Sequence, residues 1–213
     1  MAGRRSRRDG SGPRTGGPAR ERRAAVEDEP DLDADPEGVA RQICLRMLTV
    51  APRTQAQLAT ALRRRGVPED AAEAVLARFA EVKLIDDAMF ARAWVDSRHH
   101  GRGLASRALG AELRQRGVPR DDIEAALSEL SPDVELETAR ELIARRLPGT
   151  AGMPVPARMR RLVGVLARKG YSGGLAYRVV REALEAEDGD GPVPVYELVS
   201  VPEPDDEDEP AEV

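Results

Sequence analysis

The stretch Leu62-Arg-Arg-Arg-Gly-Val-Pro68 returns 51 residues later as Leu113-Arg-Gln-Arg-Gly-Val-Pro119. Each copy says how one helix stops and the next begins. The leucine is an apolar anchor in the outgoing helix. The basic residues in the last turn suit the negative end of the helix dipole. The glycine sits where a helix commonly turns left-handed at its end. The proline opens the following helix, where its missing N–H would have had no intrahelical partner. Acids come next, Glu69 and Asp70 in one copy and Asp121 and Asp122 in the other, at the positive end of a dipole. Each copy therefore reads as two helices joined by a tight turn.

The repetition extends outward. Residues 40–76 set against 91–127 without a gap agree at 13 of 37 positions, 11 of them between residues 58 and 76. Ala40-Arg41 aligns with Ala91-Arg92. From Gly38 to Val50 the apolar residues Val39, Ile43, Met47 and Val50 recur at helical spacing. Thr54 is the expected N-cap of a second helix running through Arg65 and ended by Gly66. The third helices fall at 69–80 and 120–129. A weaker third copy opens at Ala139-Arg140, with a helix through Arg146, and closes on Leu166-Ala-Arg-Lys-Gly170. Its first loop is longer, around Pro148–Pro156.

No segment alternates like a strand. The pattern predicts an all-α chain of three tandem three-helix, helix-turn-helix-like repeats in an elongated, right-to-left stacked array. A unit of ~50 residues has a marginal core alone, so neighbours are expected to share burial. The expected repeats are 38–85, 86–132 and 133–186. Residues 1–37 and 187–213 lack apolar periodicity and are expected to be disordered tails.

Charge divides along the same lines. The formal net charge is −5, but residues 1–23 carry +6, 24–38 carry −7, 39–185 carry +7 and 186–213 carry −11. A basic centre points to acidic partners. For the acidic tail two readings stay open: a solvated tail, or a DNA mimic that covers the basic face. A single cysteine, Cys44, allows no disulfide within one chain and fits a reducing cytosol. No apolar run approaches the ~20 residues of a membrane span. The arginines at 4, 5, 7 and 8 precede no apolar stretch, unlike a usual signal peptide.

Leu84-Ile-Asp-Asp-Ala-Met-Phe-Ala91 with Trp94 and Arg98, and Gly103-Leu-Ala-Ser-Arg-Ala-Leu-Gly-Ala-Glu-Leu-Arg-Gln-Arg-Gly-Val118, resemble the linker and second repeat of the RecX family of recombinase regulators. The resemblance covers about residues 39–185. It implies a cytoplasmic, non-enzymatic regulatory protein of DNA repair and the SOS response; the chain is expected to be a monomer. It implies binding along the RecA–single-stranded-DNA filament, with inhibition of recombinase and co-protease activity. It implies no cofactor and no catalytic residues.

Filament binding needs an extended surface with repeated features. The candidate partner-binding residues lie near equivalent helix ends: Arg63, Arg64 and Arg65; Arg114 and Arg116; Arg168 and Lys169. Others precede them: Arg98, Arg102 and Arg107; Arg158, Arg160 and Arg161. Weak, salt-dependent nucleic-acid contact through phosphates is compatible with them. Cations at helix ends also offset the dipole, which is a purely structural role.

The remaining motifs carry little chemistry. Phe90 and Trp94 read as core, because Ile43 occupies the position aligned with Trp94. Tyr171 and Tyr177 are expected to be partly exposed, without a role. His99-His100 read as an exposed helix end with no metal set around them. Gly170-Tyr-Ser-Gly-Gly174 matches the hydrolase elbow, but a helix precedes it where that elbow needs a strand. Ser172 reads as an N-cap. The competing class is a helix-turn-helix-like DNA-binding protein. Its recognition helices would need base-reading side chains, whereas 69–80 and 120–129 are acidic and Ala-rich.

Overall fold

The computed structural model describes residues 33–188. Among them the secondary structure is helical throughout: α1 Pro36–Val50, α2 Gln55–Arg64, α3 Glu69–Glu81, α4 Asp87–Arg102, α5 Ser106–Gln115, α6 Arg120–Ser128, α7 Pro132–Ala144, α8 Val155–Ala167 and α9 Gly173–Asp188, with a 3-10 turn at Pro148–Thr150. The expected three-by-three helical order is present. The tails expected at 1–37 and 187–213 lie largely outside the described residues. Where they do not, the helices reach further than expected. α1 begins at Pro36, capped by the Asp35 carboxylate accepting from Gly38 N, and α9 continues to Asp188.

The chain forms two compact units. One comprises the described residues through Phe90 together with Arg116–Pro119. Its core joins Ala40 and Cys44 of α1, Leu58 and Leu62 of α2, and Val75, Leu76 and Phe79 of α3. The inward face of α1 is therefore Ala40 and Cys44. Val39, Ile43 and Met47 are half-buried beside it, and Val50 is exposed. Burial of each leucine contributes about 1.5–3 kcal/mol. Thr54 caps α2 as expected: its hydroxyl accepts from Gln57 N at 3.2 Å, and Gln57 returns a bond to Thr54 N at 3.3 Å. The same hydroxyl donates to Arg116 O at 2.7 Å. Gly117 lies against Ala56, with φ 74, and a Cβ there would stand 2.4 Å from the Ala56 Cβ.

The other unit holds Ala91–Gln115 and the described residues from Arg120. Its main core brings Leu142 and Ile143 of α7, Leu162 and Leu166 of α8, and Val179, Val180 and Leu184 of α9 around Ala105 and Tyr171. A contact like that of Thr54 recurs here. Ala105 N, just before α5, donates to Lys169 O at 2.9 Å. Gly170, with φ 89, presses on Ala108, and a Cβ there would sit 2.6 Å from that alanine's Cβ and backbone N.

Three residues stand otherwise than expected. Tyr171 is buried and its hydroxyl donates to Gly103 O at 3.2 Å. It occupies the slot after the turn glycine that buried Val67 and Val118 occupy elsewhere. His99 is only 2% exposed, because Ala91, Val95 and His99 share the inward side of α4 at four-residue spacing. Trp94 is half-buried, as is Ile43, and its indole N–H donates to Glu112 Oε2 at 2.8 Å. An amphipathic ring at the rim keeps its polar edge satisfied this way.

Candidate partner-binding surface

Spacing gives α8 a mixed apolar and cationic face. Arg161, Leu162, Val165, Arg168 and Lys169 recur at i, i+1, i+4, i+7 and i+8, on one side of the helix and its last turn. With Arg145, Arg146, Gly149 and Thr150 they line a cleft of about 690 Å³. The lining contains five cations and no carboxylate. Among the described residues no carboxylate lies within ion-pair distance of Arg146, Arg161 or Arg168, and Arg145 meets only the exposed Glu141, at 3.7 Å.

Lys169 ties this cluster to α4, its Nζ donating to Arg102 O. Burial first, then the charges of Arg146, Arg145 and Arg102, holds its pKa below the usual lysine value. A second cleft, lined by residues from α4 and α7, shares Arg145, Arg146 and Lys169 with the first. Behind it His99 bridges two elements: Nδ1 lies 2.9 Å from Leu104 O and Nε2 lies 2.9 Å from Thr138 Oγ1. The neutral tautomer with the proton on Nδ1 satisfies both, donating to the carbonyl and accepting from the hydroxyl.

The expected cations thus fall into distinct settings. Arg161, Arg168 and Lys169 converge, with Arg102 beside them. Arg63, Arg64, Arg65, Arg107, Arg114 and Arg160 are exposed. Arg116 is half-buried, and its carbonyl receives Thr54. Arg98 lies 4.2 Å from the centre of the Trp94 ring and 3.8 Å from Glu112, so it is partly engaged at home. Arg158 points inward. Its side chain is 6% exposed, Nε donates to Thr150 Oγ1 at 3.1 Å, and Nη2 pairs with Glu187. Burial removes it from any partner-facing surface. Sequence reasoning passed over Arg145 and Arg146. The available signal was the alignment of Ala91 with Ala139, which sets Arg146 opposite Arg98.

This surface can hold anions. Cys44 is buried in the core of the first unit, and burial pushes its thiol up to about 11, away from thiolate reactivity. Among the described residues no group of three His, Cys, Asp or Glu is placed to hold a metal ion. No helix among them is long and apolar enough to cross a membrane.

Helical three-helix repeats carrying a cationic surface have the makings of a tandem-module binding protein. The family comparison is more specific. Residues 40–79, 86–127 and 133–180 match, in chain order, the first, second and third three-helix domains of RecX. The chain belongs to the RecX family of regulatory proteins. It is 66% identical over 148 residues to the regulatory protein RecX of Thermobifida fusca, covering 70% of this chain and 80% of that one. It is 60% identical over 156 residues to that of Streptomyces coelicolor, covering 73% and 83%. The crystal structure of RecX from Lactobacillus salivarius shares the fold, with a TM-score of 0.65 at 18% identity, covering 70% of this chain and 97% of that one. Another crystal structure of regulatory protein RecX gives 0.64 at 25% identity, covering 70% and 75%.

Proposed function

We propose that this protein binds the RecA–single-stranded-DNA filament in the cytoplasm and restrains its recombinase and co-protease activities, without chemistry of its own. Membership of the RecX family carries the reading. The exposed arginines at corresponding helix ends support it, since tandem repeats offer similar faces to a periodic partner. On this reading 38–85, 86–132 and 133–186 act as the three binding modules. The cations meet acidic patches of the recombinase, with DNA phosphates as secondary contacts. The acidic openings of α3 (Glu69, Asp70) and α6 (Asp121, Asp122) speak against a base-reading helix in the major groove.

The test is a titration of this protein into the recombinase of the same source on single-stranded DNA, reading ATPase and strand exchange. Inhibition well below a 1:1 ratio to recombinase supports the reading. No effect at excess, with helical structure intact by circular dichroism, sinks it. Preferred-sequence duplex binding at physiological salt would instead favour a transcription factor.

A further inference from the structure

We infer that the α7–α8 cleft is an anion site whose resident occupant is the acidic stretch Glu203–Glu209 of the same chain. The inference goes beyond the filament reading and does not depend on it.

Three observations carry it. The first is unmet charge. Five cations crowd the cleft without a carboxylate in its lining, and Lys169 is held below its usual pKa by burial and by its arginine neighbours. An anion there would relieve that repulsion.

The second is where the chain leaves the fold. Thr150 lines the cleft, Arg158 donates to Thr150, and Arg158 also pairs with Glu187. Glu187 directly precedes Asp188, the last residue of α9. The outgoing chain therefore starts two side-chain contacts from the cleft edge.

The third is the composition of the chain beyond α9. Residues 189–213 contain nine acids and no base, and Asp205–Glu209 are five consecutive carboxylates. From Asp188 to Glu203 is 15 residues, a length that spans at most ~50 Å. A tether of that length presents its ligand at an effective concentration in the millimolar range. Polyanions from elsewhere must then displace an attached competitor.

The probe is inorganic polyphosphate, titrated into the full chain at low salt. The comparison is a full-length variant carrying E203Q, D205N, D206N, E207Q, D208N and E209Q. Binding is expected to tighten by about tenfold or more, because an intramolecular competitor has been removed. The gain should vanish when R146Q, R161Q and R168Q are added. In parallel, the arginine side-chain N–H resonances of Arg146, Arg161 and Arg168 should shift between native and neutralised chains. Equal polyphosphate affinity with or without the acids overturns the proposal. So does a gain that persists without the cleft arginines, which marks a general charge effect. Unmoved arginine resonances overturn it as well. Recombinase is absent from these measurements, so this inference and the filament reading fail separately.

Discussion

Glu135 caps a helix that is not its own: its Oε1 accepts from Ser106 N at 2.5 Å and from Ser106 Oγ at 2.6 Å, at the start of α5. Asp87 does the same for α2, accepting from Gln55 N at 3.0 Å. Both carboxylates stand four residues before the aligned alanines, Ala91 and Ala139. In each case the first helix of one repeat supplies an anion to the positive end of the second helix of the repeat before it.

Replacing either carboxylate should show this dependence. E135A and D87A are each expected to lower stability by about 1–2 kcal/mol, as loss of an N-cap does. Glu137 lies on the exposed side of α7 and, among the described residues, pairs with exposed Arg140 at 3.8 Å, so E137A should stay within about 0.5 kcal/mol. Urea unfolding followed by circular dichroism separates the three. Equal small effects for all would remove the capping argument.

His99 is expected to be a structural bridge. H99L leaves half-buried Leu104 O and Thr138 Oγ1 without this partner, at a cost of about 1 kcal/mol or more. Adding T138V should recover part of that loss, because one stranded group is then gone. A double-mutant cycle with no coupling between the two positions would contradict the bridge.

Alkaline pH should weaken the fold through two groups. Burial raises Cys44 from 9.0 to about 11. Burial, with a smaller contribution from the charge of Glu135, raises Tyr171 from 10.0 to about 12. Both bind their protons more tightly folded than unfolded. Their stabilisation is full below pH ~9 and declines as pH climbs toward 11 for the thiol and 12 for the phenol. The urea midpoint should fall across that range, and the fall should be shallower in the C44A/Y171F double variant. An identical slope in that variant would assign the loss to other groups.

Arg158 and Arg161 are three residues apart on α8 and should behave oppositely. R158M removes a buried guanidinium that holds Thr150 and Glu187 and is expected to lower the melting temperature by several degrees, with inhibition per folded molecule unchanged. R161A should leave the melting temperature within a degree or two and weaken recombinase inhibition. Reversal of this pattern would put the partner surface on the wrong side of the helix.

The turns were the most legible part of the chain. Gly66, Gly117 and Gly170 all adopt positive φ, and local chemistry alone demands it. Register was legible but not fully used. Ala91, Val95 and His99 share a helix face, so burial of His99 followed from spacing. Tyr171 stood in line with Val67 and Val118, two buried valines. The inward turn of Arg158 was beyond sequence reasoning, because Glu187 is 29 residues away and reaches it only through the packing of α8 against α9. The cleft was hidden for a similar reason: Arg145 and Arg146 join Arg161 and Arg168 only after the long loop folds.

The borrowed caps give the array a direction in time. During synthesis α2 emerges before Asp87, and α5 before Glu135. Each repeat therefore waits for its successor before its second helix has a full set of hydrogen bonds. At the matching place in the third repeat, α8 is preceded by Pro154 and carries Pro156 in its first turn. These two prolines have no N–H to satisfy, which leaves Val155 in the place of Gln55 and Ser106. The second helix of the third repeat thus opens with fewer N–H groups in need of an acceptor than those of the two repeats before it.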